Sequence, residues 1–79
     1  MRLDKYLKVS RLIKRRTVAN EACDAGRVSV NGKPARASYD VKVGDTITIA
    51  LGARDVTVQV VDVQETVAKN DAALLYKLL

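Results

Sequence analysis

The sequence predicts an α+β fold: one small domain over residues 1–79, with two N-terminal helices packed on a short antiparallel sheet and a short helix at the C-terminus. Three observations carry this. Leu3, Tyr6 and Leu7 stand at the i, i+3, i+4 spacing of an amphipathic helix. After Gly26 the apolar period falls to two, with Val28 and Val30 alternating against Arg27, Ser29 and Asn31. Asn31-Gly32 then supplies a hairpin turn, because both residues tolerate positive φ. Helices first and strands afterwards is the α+β order.

Taken in order, the first helix is expected from Leu3 to about Ile13, with Arg2, Lys5, Lys8 and Arg11 off its apolar stripe. Ser10 or the Lys14 to Arg16 run marks a break. A second helix follows from about Arg15 to Ala25, turning Val18, Ala19, Ala22 and Cys23 inward, and Gly26 closes it. Lys33 to Asp40 should be a short strand and an irregular loop, since Pro34 has no N–H to give a ladder. A Gly44-Asp45 turn leads into a strand through Ile47, Ile49 and Leu51. Gly52 to Asp55 turns again, and a strand through Val56, Val58 and Val60 pairs antiparallel with the one before it. From Asn70 onward, Ala72 to Leu79 favour a short helix capped by Asn70 or Asp71.

Composition narrows the function. With no Trp or Phe and only three Tyr, the core must come from Val, Leu, Ile and Ala, at about 25 cal/mol per Å² buried. No apolar run approaches the ~20 residues a membrane span requires, and no signal-peptide stretch follows the basic start, so a cytoplasmic protein without a membrane partner is expected. Cys23 is the single cysteine and His is absent, which disfavours a disulfide, a zinc site and Cys–His catalysis. No catalytic residue, metal or cofactor is expected, and Cys23 reads as a small buried side chain rather than a reactive thiol.

The net charge of +5 is concentrated at one end. Residues 1–16 hold Arg2, Lys5, Lys8, Arg11, Lys14, Arg15 and Arg16 against Asp4 alone, while the remaining chain carries seven bases and eight acids. Such asymmetry suits a polyanion-binding surface, where each neutralised phosphate releases counterions. Arginine presents a planar fork that grips a phosphate bidentately or stacks on a base, so Arg2, Arg11, Arg15 and Arg16 lead, with Lys5, Lys8 and Lys14 in electrostatic support. Thr17, where the second helix begins, is a candidate phosphate contact, with a helix cap the stronger reading. Asp4, lacking a partner carboxylate, is expected to orient Lys5, Lys8 or a nearby arginine. Arg27, Lys33 and Arg36 either extend the basic surface onto the first hairpin or are scattered surface charge. Tyr39 either stacks on a nucleobase or caps the core.

The segments RLDKYL, KRRTVANEACDAGRVSVNGKPA and VKVGDTITI together resemble the alpha-L RNA-binding motif of the S-four domain family, over about residues 2–51, with residues 52–79 a strand and helix extension. The resemblance implies two helices on a small sheet, with a basic surface that docks onto folded RNA. By motif position it singles out Arg2 and Arg16, although Lys14, Arg15 and Arg16 stand where the family more usually has Ser-Arg. The family includes enzymes that carry this domain as an appendage, and over these 79 residues no catalytic domain is expected. Short stand-alone members imply a monomer with three partners: ribosomal RNA of the large subunit, the peptidyl-site tRNA, and an alanine-tailing quality-control protein on the same obstructed ribosome. The alternative is recycling of large subunits in the manner of heat-shock protein fifteen, whose long basic C-terminal extension this sequence lacks. A DNA-binding helix-turn-helix is disfavoured, because Val18 to Ala25 would bring Glu21 and Asp24 to a phosphate-lined groove.

Overall fold

The chain opens with two helices, α1 (Leu3–Val9) and α2 (Arg16–Asp24), and continues as strands β1 (Val28–Val30), β2 (Lys33–Pro34), β3 (Thr46–Leu51) and β4 (Arg54–Val60). A 3-10 helix (Lys69–Leu75) and strand β5 (Tyr76–Leu78) complete it. This computed structural model describes residues 1–79, the Lys69 side chain excepted. The five strands form one antiparallel sheet in the order β2-β1-β3-β4-β5.

The core follows from the two periodicities. Leu3, Tyr6 and Leu7 of α1 and Ala19 and Cys23 of α2 are buried against one face of the sheet, made by Val28, Val30, Ile47, Ile49, Val58 and Val60. Val30, Ile47 and Val58 lie in register across three strands, as do Val28, Ile49 and Val56, so the alternation of each strand feeds the same layer.

The turns behave as their residues dictate. Gly26 has φ +78, the Gly26 N–H bonds the Cys23 carbonyl and the Arg27 N–H bonds the Ala22 carbonyl, which is the Schellman closure of a helix. Asn31 and Gly32 are both at positive φ between paired Val30 and Lys33, as a type I′ hairpin requires. A β-branched residue at either glycine meets open space yet an unfavourable backbone. Gly26→Val and Gly32→Val are therefore each expected to cost about 1 kcal/mol or more, lowering Tm by roughly 4–8 °C in a domain this size. Thermal melts matching the parent would contradict both turns.

Three expectations need correction. α1 stops at Val9 rather than near Ile13, because Ser10 caps it and Arg11 leaves the helical region at φ +61. Val18 does not turn inward and is 47% exposed, since the short contact face of α2 is filled by Ala19 and Cys23. The C-terminal helical element is present, but it is a 3-10 helix with Ala68 at its N-cap and no side-chain cap from Asn70 or Asp71. It ends at Leu75, and Tyr76–Leu78, expected to be helical, pair instead with β4. A helix there would have left the β4 edge with unpaired N–H and C=O groups; the strand satisfies them.

Candidate nucleic-acid interface

Arg2 is placed by backbone on both sides. The Val41 N–H bonds the Met1 carbonyl at 2.8 Å, the Leu3 N–H bonds the Tyr39 carbonyl at 2.8 Å, and the terminal ammonium donates to Asp40 at 2.7 Å. The opening dipeptide thus lies as a bridge against the 37–41 loop before α1 starts. This closes off the first amides of α1, with Leu3 and Asp4 N–H given to Tyr39 and Ala37 carbonyls and Lys5 N–H to the Asp4 side chain. The start of α1 therefore offers no free amides to a phosphate, and what it presents is the Arg2 side chain.

Asp4 is the organising group. It is 2% exposed and accepts from Arg2 Nε at 3.1 Å, Arg2 Nη2 at 3.3 Å, Asn20 Nδ2 at 3.2 Å and the Lys5 N–H at 2.8 Å, with Arg16 Nε at 3.5 Å. Burial by itself would raise the Asp4 carboxyl, but the bonds from Arg2 and Asn20, the Arg16 charge and the Lys5 amide together hold it at about 2. One buried carboxylate thereby holds two guanidinium groups, Arg2 and Arg16, that stand 14 residues apart in sequence. Each arginine remains about half exposed, its inner edge bound and its outer edge open to solvent. The expected orienting role of Asp4 is realised on Arg2 and Arg16, and Asn20, which the sequence reading did not single out, ties the same carboxylate to α2.

Beside this pair a cleft of about 500 Å³ is lined by Lys5, Lys8, Arg11, Lys14 and Arg16 on one side and by Glu65, Thr66 and Val67 on the other. Five of the eight expected RNA contacts converge there. Arg15 stands at the N-cap of α2, exposed and outside the cleft. Thr17 is not the cap: it lies one residue inside the helix with no side-chain cap bond, exposed beside Asp4, Arg16, Asn20 and Glu21. The Lys5 ammonium pairs with Glu65, a residue brought in by the segment after β4. No local pattern in the sequence marks Glu65, because 60 residues separate it from Lys5.

Arg11 occupies a backbone region where glycine is usual, at a cost of about 1–2 kcal/mol for an L-residue. Its side chain lines the cleft. Arg11→Gly is accordingly expected to hold or raise Tm while weakening RNA binding; a variant that loses stability and keeps affinity would remove Arg11 from the interface.

The remaining candidates lie elsewhere. Lys33, Arg36 and Tyr39 line a separate depression with Val30, Asn31, Pro34, Ala35 and Ser38, and Arg27 follows the far end of α2, whose nine residues span roughly 13 Å. These residues do not continue the α1/α2 cleft. Of the two readings of Tyr39, the geometry favours the core cap: its ring packs on the core and its hydroxyl donates to Asp45 at 2.9 Å, a bond that raises the phenol pKa. Asp45 also accepts from Asn31 Nδ2 and the Lys42 N–H, so the Asn31-Gly32 and Gly44-Asp45 turns are joined through one carboxylate. Cys23 is buried, and that burial first of all pushes its thiol up to about 11, leaving little nucleophilic thiolate near neutrality. Cys23→Ala should leave RNA affinity unchanged in a direct binding titration. No group of three or more His, Cys, Asp or Glu able to hold a metal ion occurs among the described residues, and no described helix is long and apolar enough to cross a membrane.

Comparison with known proteins agrees with this architecture. The family model described as the S4 domain matches residues 1–47. The chain is 57% identical over 79 residues to a protein named RQC P-site tRNA stabilizing factor from Bacillus subtilis (strain 168), covering all of this chain and 92% of that one. A protein of the same name from Halalkalibacterium halodurans is 55% identical over 78 residues, covering 99% and 89%. The trimeric structure of Vibrio cholerae Heat Shock Protein 15 superposes with a TM-score of 0.92 at 30% identity, covering all of this chain and 81% of that one.

Proposed function

Since the chain belongs to the S4 domain family, we propose that it is a ribosome-associated RNA-binding factor and not a catalyst, using the α1/α2 face as its RNA surface. It binds ribosomal RNA of the large subunit and the peptidyl-site tRNA on subunits obstructed by a nascent chain. There it assists a quality-control protein that adds a C-terminal alanine tail, and it works in the cytoplasm. The observation that carries this reading is the convergence of Arg2 and Arg16 on buried Asp4 at the rim of a cleft containing four further cations. Two half-free arginine forks held on one carboxylate can each take a phosphate bidentately, and the cleft beside them adds further positive charge. The names borne by the close relatives support tRNA at the peptidyl site as one of the two RNAs.

Cosedimentation tests it. The protein should travel with large subunits carrying peptidyl-tRNA and much less with empty ones; equal recovery on both, or a preference for duplex DNA of matched charge, would remove the tRNA assignment. If four to six phosphates are engaged, log affinity should fall against log salt with a slope of roughly −3 to −5. The likeness to heat shock protein 15 favours a second reading, recycling of obstructed subunits without tailing. Loss of alanine tails on deletion of the gene separates the two.

A further inference from the structure

Glu65 is the one acid among the residues lining the basic cleft, and its carboxylate pairs with Lys5. We propose that Glu65 occupies the Lys5 site in the free protein and competes there with RNA phosphate, so that only an RNA backbone that displaces it gains the full cleft. This rests on the RNA-binding reading above.

The pair is poorly suited to a structural role. The Glu65 side chain is 71% exposed and Lys5 35% exposed, and ion pairs in that setting contribute little to stability. The neighbouring chain is anchored without it: Val61 and Asp62 N–H both bond the Leu75 carbonyl, which also accepts from the buried Tyr6 hydroxyl at 2.6 Å, and Val63 and Val67 pack on the core. This anchoring holds Glu65 at the cleft mouth while leaving its bond to Lys5 cheap to break. The hydrogen bond from Lys5 is the main influence holding the Glu65 carboxyl below its ordinary value, so it stays charged as a competitor. A polyanion that does not reach Lys5 leaves the pair intact and gains nothing from that cation, whereas one whose phosphate reaches Lys5 displaces the carboxylate at small cost.

The test is a titration of labelled transfer RNA with the full chain, from about 50 to about 200 mM salt. Glu65→Gln should bind roughly twofold to fivefold tighter, with a salt slope steeper by about 0.7 to 0.9 for the one cation released. Asp55→Asn, the same charge change on exposed β4, should move neither quantity. In a Lys5→Ala background Glu65→Gln should lose its effect. Unchanged or weaker binding by Glu65→Gln, an equal gain from Asp55→Asn, or a gain that persists without Lys5 would each overturn the proposal. A parent protein with no salt-dependent RNA binding would defeat the RNA reading itself, and this inference with it. A parent that binds through Arg2 and Arg16 yet ignores Glu65→Gln would defeat the inference alone.

Discussion

Arg16→Ala and Arg2→Ala are each expected to leave the protein folded and to weaken its association with large ribosomal subunits by about 1 to 3 kcal/mol, the worth of a charge-assisted contact. Folding should survive, because removing one arginine leaves Asp4 with the other, with Asn20 and with the Lys5 amide. Arg16 should be the more sensitive, since it lines the cleft as well as pairing with Asp4, whereas Arg2 stands outside the cleft lining. Lys42→Ala and Lys77→Ala, exposed and outside the cleft lining, remove the same charge and serve as controls. Four equal losses in a sedimentation assay would mean that only net charge matters. Two unaffected arginine variants would mean that this face does not meet the ribosome.

Asp4→Asn carries the second large effect and the more discriminating sign. The substitution raises the net charge, so a purely electrostatic account predicts tighter RNA binding. Positioning predicts the opposite, because an amide placed against two guanidinium groups no longer fixes Arg2 and Arg16, and affinity should fall. Stability should fall too, by about 2 to 3 kcal/mol, below the usual cost of breaking a buried pair because both arginines are half in water. The pH dependence identifies the group. With its pKa depressed from 3.8 to about 2, Asp4 contributes stability that is present above about pH 4 and is lost as pH falls toward 2. The depression corresponds to about 2 kcal/mol. Denaturant titrations of parent and Asp4→Asn should accordingly converge as pH drops from 4 to 2, and a constant gap would place the stabilisation elsewhere. The contrast with Glu65 is one of burial: both acids pair with cations of the same surface, but the buried one orients them and the exposed one competes for them.

The local rules were legible in the chain. The i, i+3, i+4 stripe of Leu3, Tyr6 and Leu7, the Gly26 closure, the Asn31-Gly32 hairpin and the Val and Ile alternation of β3 and β4 all appear where sequence spacing puts them. Each depends on interactions within a few residues, and such interactions are written in sequence order. The concentration of cations in residues 1–16 likewise pointed to one face. The C-terminal segment was misread in part because Ala72 to Leu79 have helical propensity, and propensity does not register that β4 offers an unpaired edge to Tyr76–Leu78. Thr17 was misread as a cap because capping type was visible and the helix start, at Arg16 behind Arg15, was uncertain by two residues.

The sequence by itself determined the α+β order, the helix and hairpin turns, the sidedness of the strands and the sign of the charge on the first helix pair. Only the tertiary structure decided how that charge is used. Packing α1 against α2 brings Arg2, Asp4 and Asn20 into one hydrogen-bonded group with Arg16 ion-paired to it, and folding the chain after β4 back to α1 sets Glu65 against Lys5. Neither arrangement has a local code, because a side chain's charge is fixed by its type whereas its partners are fixed by where the core forces the backbone to go.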